Sequence, residues 1–168
     1  MQKLLQQFTD FRLTQSNWTN NYDLPSREVF VFKYRRWLVD FQKSMKSLPQ
    51  TEIKVYHKFI GDYYIRTAII PKDTFLIGAT HTMPMVDTVL YGDITAMIDG
   101  QHVRMKAGDR FISQAGSKKA GATHEDTAYS NIYLTKERDI KQIEADTLLT
   151  EEEEESYINT ELKYLGVV

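Results

Sequence analysis

A basic segment flanked by glycines is the part of this 168-residue sequence whose residue types suit anion binding, and it reads Gly116-Ser117-Lys118-Lys119-Ala120-Gly121. Backbone amides, the hydroxyl of Ser117 and two ammonium groups could hold a phosphate or other anion there. The spacing is not that of a Walker loop, which needs Gly-x4-Gly-Lys-Ser/Thr ahead of a helix. The alternative interpretation is a solvated loop without a ligand.

Composition excludes several other kinds of site. The chain has no cysteine, so disulfides and thiolate metal sites are excluded. A net charge of −2 offers no general attraction to nucleic acid. No stretch approaches the roughly 18 apolar residues of a membrane span, and the N-terminus lacks the apolar region of a signal peptide. We therefore expect a protein of the cytoplasm without a membrane anchor.

A hairpin in the middle of the chain indicates the surrounding architecture. Apolar residues alternate on both sides of Asp99-Gly100, a dipeptide favoured in two-residue hairpin loops because both central positions need a positive φ. Gly92-Asp93 precedes this hairpin and Gly108-Asp109 follows it. Short, closely spaced strands without crossover helices favour a sandwich or small barrel. Strands are predicted at 53–57, 63–70, 74–77, 88–91, 94–98, 102–105, 110–113 and 129–134, of which 94–98 and 102–105 are the two strands of this hairpin.

Helices are predicted at both ends of this β-rich region. Leu4, Leu5, Phe8 and Phe11 fall on one face of a first short helix, and a polar loop follows at 16–23. A longer helix begins at Pro25-Ser26 and ends before Pro49, with an aromatic stripe that is either core-facing or an interface.

Thr150 and Glu153 have the spacing of a capping box and predict a C-terminal helix, whose five-glutamate start is interpreted as solvated. We expect a helical extension at 1–50, a barrel at 51–149 and the C-terminal helix at 150–168, packed as one unit.

The frame of glycines resembles that of the cupin superfamily, whose two motifs can be written G-x5-H-x-H-x3/4-E-x6-G and G-x5-P-x-G-x2-H-x3-N. If Gly92 closes the first motif and Gly108 opens the second, the 15 residues between them match the shortest usual spacing. The segments 70–81, 115–121 and 125–131 also look like small cupin-type proteins encoded by tailed bacteriophages. The resemblance implies a jelly-roll barrel and a homodimer, with the helix at 26–48 as a candidate contact.

The resemblance also shows which ligand positions are filled. Besides the framing glycines Gly92 and Gly108, His81 and Gly116 match their motif positions, and about five inserted residues would bring His124 to the last histidine position. The residues that depart from the pattern are Ala79 for the first histidine, Met85 for the glutamate, Gln114 for the proline and Lys119 for the last histidine.

A cupin metal site offers three imidazoles and a carboxylate to one divalent ion, and at most two of those imidazoles remain here. His81 and His124, with Asp87 or Glu125 as a displaced carboxylate, would form a 2-His-1-carboxylate site for a transition metal. That hypothesis implies an oxygenase, isomerase or hydrolase.

Three functions are therefore compared. The first is a non-catalytic cupin-fold protein, of phage origin, whose pocket takes a small organic or phosphorylated molecule. The second is the metal-dependent enzyme with a degenerate site. The third is a virion component or an inhibitor of a host protein, which would use the barrel as a scaffold. The residues expected to bind the small molecule are His81, Met85, Ser117, Lys118, Lys119 and His124, together with tyrosines of the early strands.

Overall fold

Nine strands and three helices make up residues 24–168, which are the part of the chain that the computed structural model describes, with side chains from residue 27 onward. The first predicted helix and the loop at 16–23 lie outside the described residues. The helices are α1 (Leu24–Met45), α2 (Ile140–Thr147) and α3 (Glu151–Tyr164). The strands are β1 (Lys54–Ile60), β2 (Tyr63–Ile70), β3 (Phe75–Ile77), β4 (Met85–Tyr91), β5 (Asp93–Ile98), β6 (Gln101–Lys106), β7 (Arg110–Ser113), β8 (Lys119–Thr123) and β9 (Thr127–Leu134).

The strands form two antiparallel sheets that face each other. One sheet has the order β1-β2-β9-β4-β7 and the other β3-β8-β5-β6. With β1 set aside, each sheet has four strands drawn from both halves of the chain, which is the interleaved order of a jelly roll. The predicted jelly-roll fold with helices at its ends is thus confirmed. The two sheets face each other as a sandwich and do not close into a barrel.

The central hairpin forms as predicted. Asp99 and Gly100 have φ values of 47° and 81°, the signs that a type I′ turn requires, and Ile98 pairs with Gln101 across it. A Cβ added at Gly100 would lie 2.3 Å from Cε1 of Phe30, so the turn also touches helix α1.

Helix α1 covers the outer face of the four-stranded sheet. Tyr34 and Leu38 are fully buried against Met97 of β5 and Ala120 of β8. Tyr34 and Leu38 therefore face the core, as the core-facing interpretation of the aromatic stripe expects, and the contact between two copies through this helix is not tested. The homodimer itself stays a prediction. Among the described residues, no helix is long and apolar enough to cross a membrane.

Strand β8 was expected to be a loop, and that expectation is wrong. Its sequence, Lys-Ala-Gly-Ala-Thr, has little intrinsic preference for strands. The strand lies between β3 and β5, where small residues are needed, since a Cβ at Gly121 would lie 2.9 Å from Cδ1 of Ile94. Helix α2 was also not predicted, although Asp139 caps it by accepting from the backbone amides of Lys141 and Gln142.

The start of α3 is only partly as expected. The capping box between Thr150 and Glu153 forms, but Glu154 is buried, with 5% of its surface exposed. Its carboxylate accepts from Nζ of Lys118 at 2.8 and 3.0 Å and from the hydroxyl of Thr80. The solvated interpretation is wrong for this residue, because Glu154 joins α3 to the segment before β8.

The buried pair gives a stability prediction. Lys118→Met leaves the Glu154 carboxylate buried without its counter-charge, and we expect unfolding to become easier by about 3–5 kcal/mol, measured by urea denaturation. Lys118→Met combined with Glu154→Leu should recover most of the loss. Lys43→Met, which breaks an exposed pair with Glu155, is the control and should change little. A double variant as unstable as the single one would contradict this account.

The hairpin gives a second stability prediction. Gly100→Ala and Gly61→Ala both place a side chain at positive φ, but only the former meets Phe30, since nothing lies within 4 Å of a Cβ at Gly61. We expect Gly61→Ala to cost about 1–2 kcal/mol and Gly100→Ala at least about 1 kcal/mol more, by the same denaturation measurement. Equal costs would mean that the contact with α1 contributes nothing.

Candidate functional site

A cavity of about 420 Å³ lies between the two sheets. Its wall is mostly aliphatic, and the polar side chains that reach it come from four places in the fold. The polar lining residues are Arg66 of β2, Tyr129 and Asn131 of β9, Lys119 of β8 and His81 of the segment before β4. The aliphatic lining residues include Val55, Ala68, Ile70, Leu76, Ile94, Ala96 and Leu148.

Three polar residues form a row across the inner face of the five-stranded sheet. Arg66 is the cross-strand partner of Asn131, and Asn131 is in turn the partner of Asp87. Directly paired residues point to the same face, because side chains alternate between the two faces along each strand. The strand register therefore places a guanidinium, an amide and a carboxylate side by side.

Asp87 is the centre of a hydrogen-bond network and is 0% exposed. Its carboxylate accepts from Nδ2 of Asn131 at 2.5 Å and from the hydroxyls of Ser113 and Tyr129. It also accepts from Nζ of Lys119 at 2.8 Å to each oxygen. These five hydrogen bonds satisfy both carboxylate oxygens, so Asp87 has little capacity left for a ligand.

Lys119 reaches Asp87 from the opposite sheet. Its ammonium donates to Oγ of Ser113 at 2.9 Å and lies 5.7 Å from the centre of the Phe111 ring. Burial lowers the pKa of Lys119, and the attraction of Asp87 only partly opposes that shift. The ion pair therefore links β4 of one sheet to β8 of the other.

His81 lies beside the cavity on a segment paired with the end of helix α2. It bridges to Leu148, and its carbonyl accepts from the amide of Gly116 at 2.8 Å. Its Nδ1 is buried, and no described residue forms a hydrogen bond with it. Burial, aided by the positive charges of Lys119 and Arg66, lowers the pKa of His81 to about 4, so the imidazole is neutral at pH 7.

Arg66 forms no ion pair and no hydrogen bond within residues 24–168, and it lies half-buried in the wall of the cavity. Arginine keeps its positive charge near pH 7. The cavity wall therefore carries a guanidinium that no carboxylate of the described residues pairs with.

Only some of the predicted site residues meet at this cavity. His81 and Lys119 line it, and Asp87 lies behind Lys119. Met85 packs instead in a neighbouring cluster with Tyr64, Tyr133 and Ile143, where the early-strand tyrosine Tyr64 is also fully buried. Met85 is therefore a core residue.

The predicted metal ligands are not brought together. His81 and His124 lie at opposite ends of β8, whose five residues span about 16 Å. Nε2 of His124 is bonded to Oγ1 of Thr95, and Glu125 is exposed. Among the described residues, no three His, Asp or Glu side chains are placed to hold a metal ion.

The cavity also has the wrong charge for a metal. His81 is its one imidazole, and the Lys119 and Arg66 charges beside it would repel a cation. Asp87 is already neutralised by the ammonium of Lys119. These residues do not fit a divalent ion, and the ammonium supplies the positive charge that the carboxylate requires.

The predicted anion loop does not form either. Lys118 and Lys119 point to different parts of the molecule, one to Glu154 on α3 and the other to Asp87. Both ammonium groups are therefore neutralised by carboxylates of the protein. Ser117 is buried, and its amide bonds to the carbonyl of Gln114 at 3.2 Å.

Sequence reasoning missed Arg66, Tyr129 and Asn131. The sequence of β2 does contain a signal, because every second residue of a strand points to the same face. The inward positions are Tyr64, Arg66, Ala68 and Ile70, and Arg66 is the charged one among them. Nothing local marks Asn131, since its role depends on the register between β9 and its two neighbours.

Comparisons with known proteins leave the activity open. No protein-family model matches this sequence, and no curated protein matches it. Several solved structures are similar over about half of the chain. They include KdgF from Halomonas sp. (14% identity, TM-score 0.45, covering 54% of this chain and 86% of that one). They also include the Cnp3 cupin domain of Schizosaccharomyces pombe (17% identity, TM-score 0.43, covering 54% of this chain and 72% of that one). A third is the Cupin_2 domain of an XRE family transcriptional regulator from Enterobacter cloacae (10% identity, TM-score 0.45, covering 52% of this chain and 100% of that one). At such identity and overlap, likeness assigns neither a reaction nor a ligand.

The buried imidazole gives a pH prediction. The pKa of His81 is about 4 in the folded chain and near 6.5 when unfolded, so the unfolded state binds more protons between these values. Stability should therefore be lost as the pH falls from about 6.5 towards 4, by up to about 3 kcal/mol from this residue. His81→Asn should lose that part of the slope in urea denaturation between pH 7 and pH 5. An unchanged slope would mean that His81 titrates normally.

Proposed function

We propose that this chain is a binding protein that takes a small, largely apolar molecule into the cavity between its two sheets. The observation that carries the proposal is an aliphatic cavity of about 420 Å³ lined by Arg66 and His81. In residues 24–168 the guanidinium of Arg66 has no ion pair and Nδ1 of His81 has no hydrogen-bond partner. Small-molecule sites are typically concave, mostly apolar, within about 300–1,000 Å³, and furnished with a few polar groups that fix orientation.

Binding is favoured over catalysis by the state of the ionisable groups. Asp87 is saturated by donors, and Lys119 is held by that carboxylate. A general acid or base works best when its pKa lies near the working pH, whereas His81 has a pKa of about 4. Asp87 and Lys119 are therefore occupied by each other, and His81 is not a proton carrier near pH 7.

The cavity has an accessible rim that would let a ligand enter. Ala79 lines the cavity and is exposed, and His81 and Leu148 lie close to it in the same wall. The bridge between His81 and Leu148 ties this rim to helix α2. Entry would therefore take place where the segment before β4 meets the end of that helix.

The origin in a tailed bacteriophage, and with it a place in the host cytoplasm, belongs to the same proposal. It is supported by the sequence resemblance of segments 70–81, 115–121 and 125–131 alone.

Binding is tested by isothermal titration calorimetry with four probes that carry either a naphthalene ring or a linear alkyl chain. Each apolar group is tested as the carboxylate and as the amide, which gives 2-naphthoate, 2-naphthamide, octanoate and octanamide. We expect at least one of the four probes to bind with one site per chain. Ala96→Leu fills the cavity wall and should weaken that binding at least about tenfold, which is a loss of about 1.4 kcal/mol. Ala145→Leu, the same change on the exposed side of α2, should leave it intact.

A second variant covers the case in which Ala96→Leu does not fold. Ala79→Phe narrows the rim from an exposed position and should slow or weaken binding while the melting temperature stays near that of the wild type. Absence of binding by all four probes, or binding that both cavity variants retain, would overturn the proposed function.

A further inference from the structure

We infer that the ligand of this cavity is an organic monoanion, a single carboxylate on an apolar body, whose carboxylate is held by Arg66 and His81. This inference rests on the proposed function and adds the chemical class of the ligand. It depends on the charges inside the cavity and on which of its polar groups lack partners.

The described groups that face or adjoin the cavity carry a net positive charge. Arg66 and Lys119 each carry one positive charge, Asp87 carries one negative charge, and His81 is neutral at pH 7. Asp87 and Lys119 cancel each other at 2.8 Å. The remaining charge is the guanidinium of Arg66, and one negative charge on the ligand would balance it.

Arg66 and His81 both offer hydrogen-bond donors to a ligand. Carboxylates are matched by the fork of N–H donors on arginine, and such charge-assisted bonds are stronger than neutral ones. A neutral imidazole can carry its proton on Nδ1, and that atom of His81 is buried without a partner among the described residues. A bound carboxylate would accept from both groups, whereas an apolar ligand would accept from neither.

Arg66 and His81 line the same cavity. The positive charge of Arg66 is also one of the causes that lower the pKa of His81. Both also lie beside an otherwise aliphatic wall that includes Ala68, Ile70 and Leu148. The site thus has a polar part for the carboxylate and an apolar part for the body of the ligand.

The charge of the cavity also favours a carboxylate over a phosphate monoester. A phosphate monoester carries up to two negative charges at pH 7.5. The ammonium groups of Lys118 and Lys119, which could have balanced them, are paired with Glu154 and Asp87. A second negative charge would therefore be buried without compensation, which is costly. A monocarboxylate is expected to bind better than a phosphate monoester with the same body.

The test compares matched probes by calorimetry at pH 7.5. For whichever body binds, the acid should bind at least about tenfold more tightly than its amide, as expected for one charged hydrogen-bonded contact. On the naphthalene body, 2-naphthyl phosphate should bind more weakly than 2-naphthoate. Because this comparison uses the wild-type chain, it does not depend on any variant folding.

Variants then assign the preference to Arg66. Arg66→Met should bring the affinity for the acid down to that of the amide while the amide still binds. Lys58→Met is the matched control, since it removes a cation from an exposed position of the neighbouring strand β1, and it should preserve the acid preference.

The outcomes separate this inference from the proposed function. If acid and amide bind equally well, or if the phosphate binds best, the ligand class is wrong and small-molecule binding stands. If the acid preference survives Arg66→Met, or is lost equally in Lys58→Met, the assignment to Arg66 is wrong. If no probe binds in any form, the proposed function fails with it.

Discussion

The ion pair between Asp87 and Lys119 is the interaction on which the interior of this protein depends. It joins β4 of one sheet to β8 of the other, and Ser113, Tyr129 and Asn131 complete the hydrogen bonds of the carboxylate. A buried carboxylate is tolerated only when charge and hydrogen bonds compensate its lost hydration. Here Lys119 compensates the charge of the Asp87 carboxylate. The described residues around the cavity contain no set of donors that suits a metal ion.

Two consecutive lysines link this interior to the rest of the fold. Lys119 points between the sheets, whereas Lys118 pairs with Glu154 at the start of α3. Charged groups that looked like one anion site in the sequence therefore serve two separate structural contacts. Within residues 24–168 no carboxylate pairs with the guanidinium of Arg66, and the proposed ligand class depends on that charge.

The architecture was accessible from local patterns because those patterns are caused locally. The turn at Asp99-Gly100 needs positive φ at both positions, and alternating apolar residues in β2 indicate a strand whichever sheet it joins. Strand β8 is an exception, because its composition is that of a loop. It becomes a strand through its pairing with both β3 and β5, where Gly121 leaves room for Leu76 and Ile94.

By itself, the sequence indicated a β-sandwich or small barrel flanked by helices, with a capped C-terminal helix. Its resemblance to cupins implied the jelly-roll order and singled out His81 and Lys119. Only the tertiary structure decided what those residues do, because partners such as Asp87 and Lys119 are 32 positions apart and meet only when the two sheets face each other. The same holds for Arg66, Asn131 and Asp87, whose alignment depends on the register of three strands. Turn and strand preferences act over a few residues, whereas the charge balance of a cavity is set by contacts between distant parts of the chain.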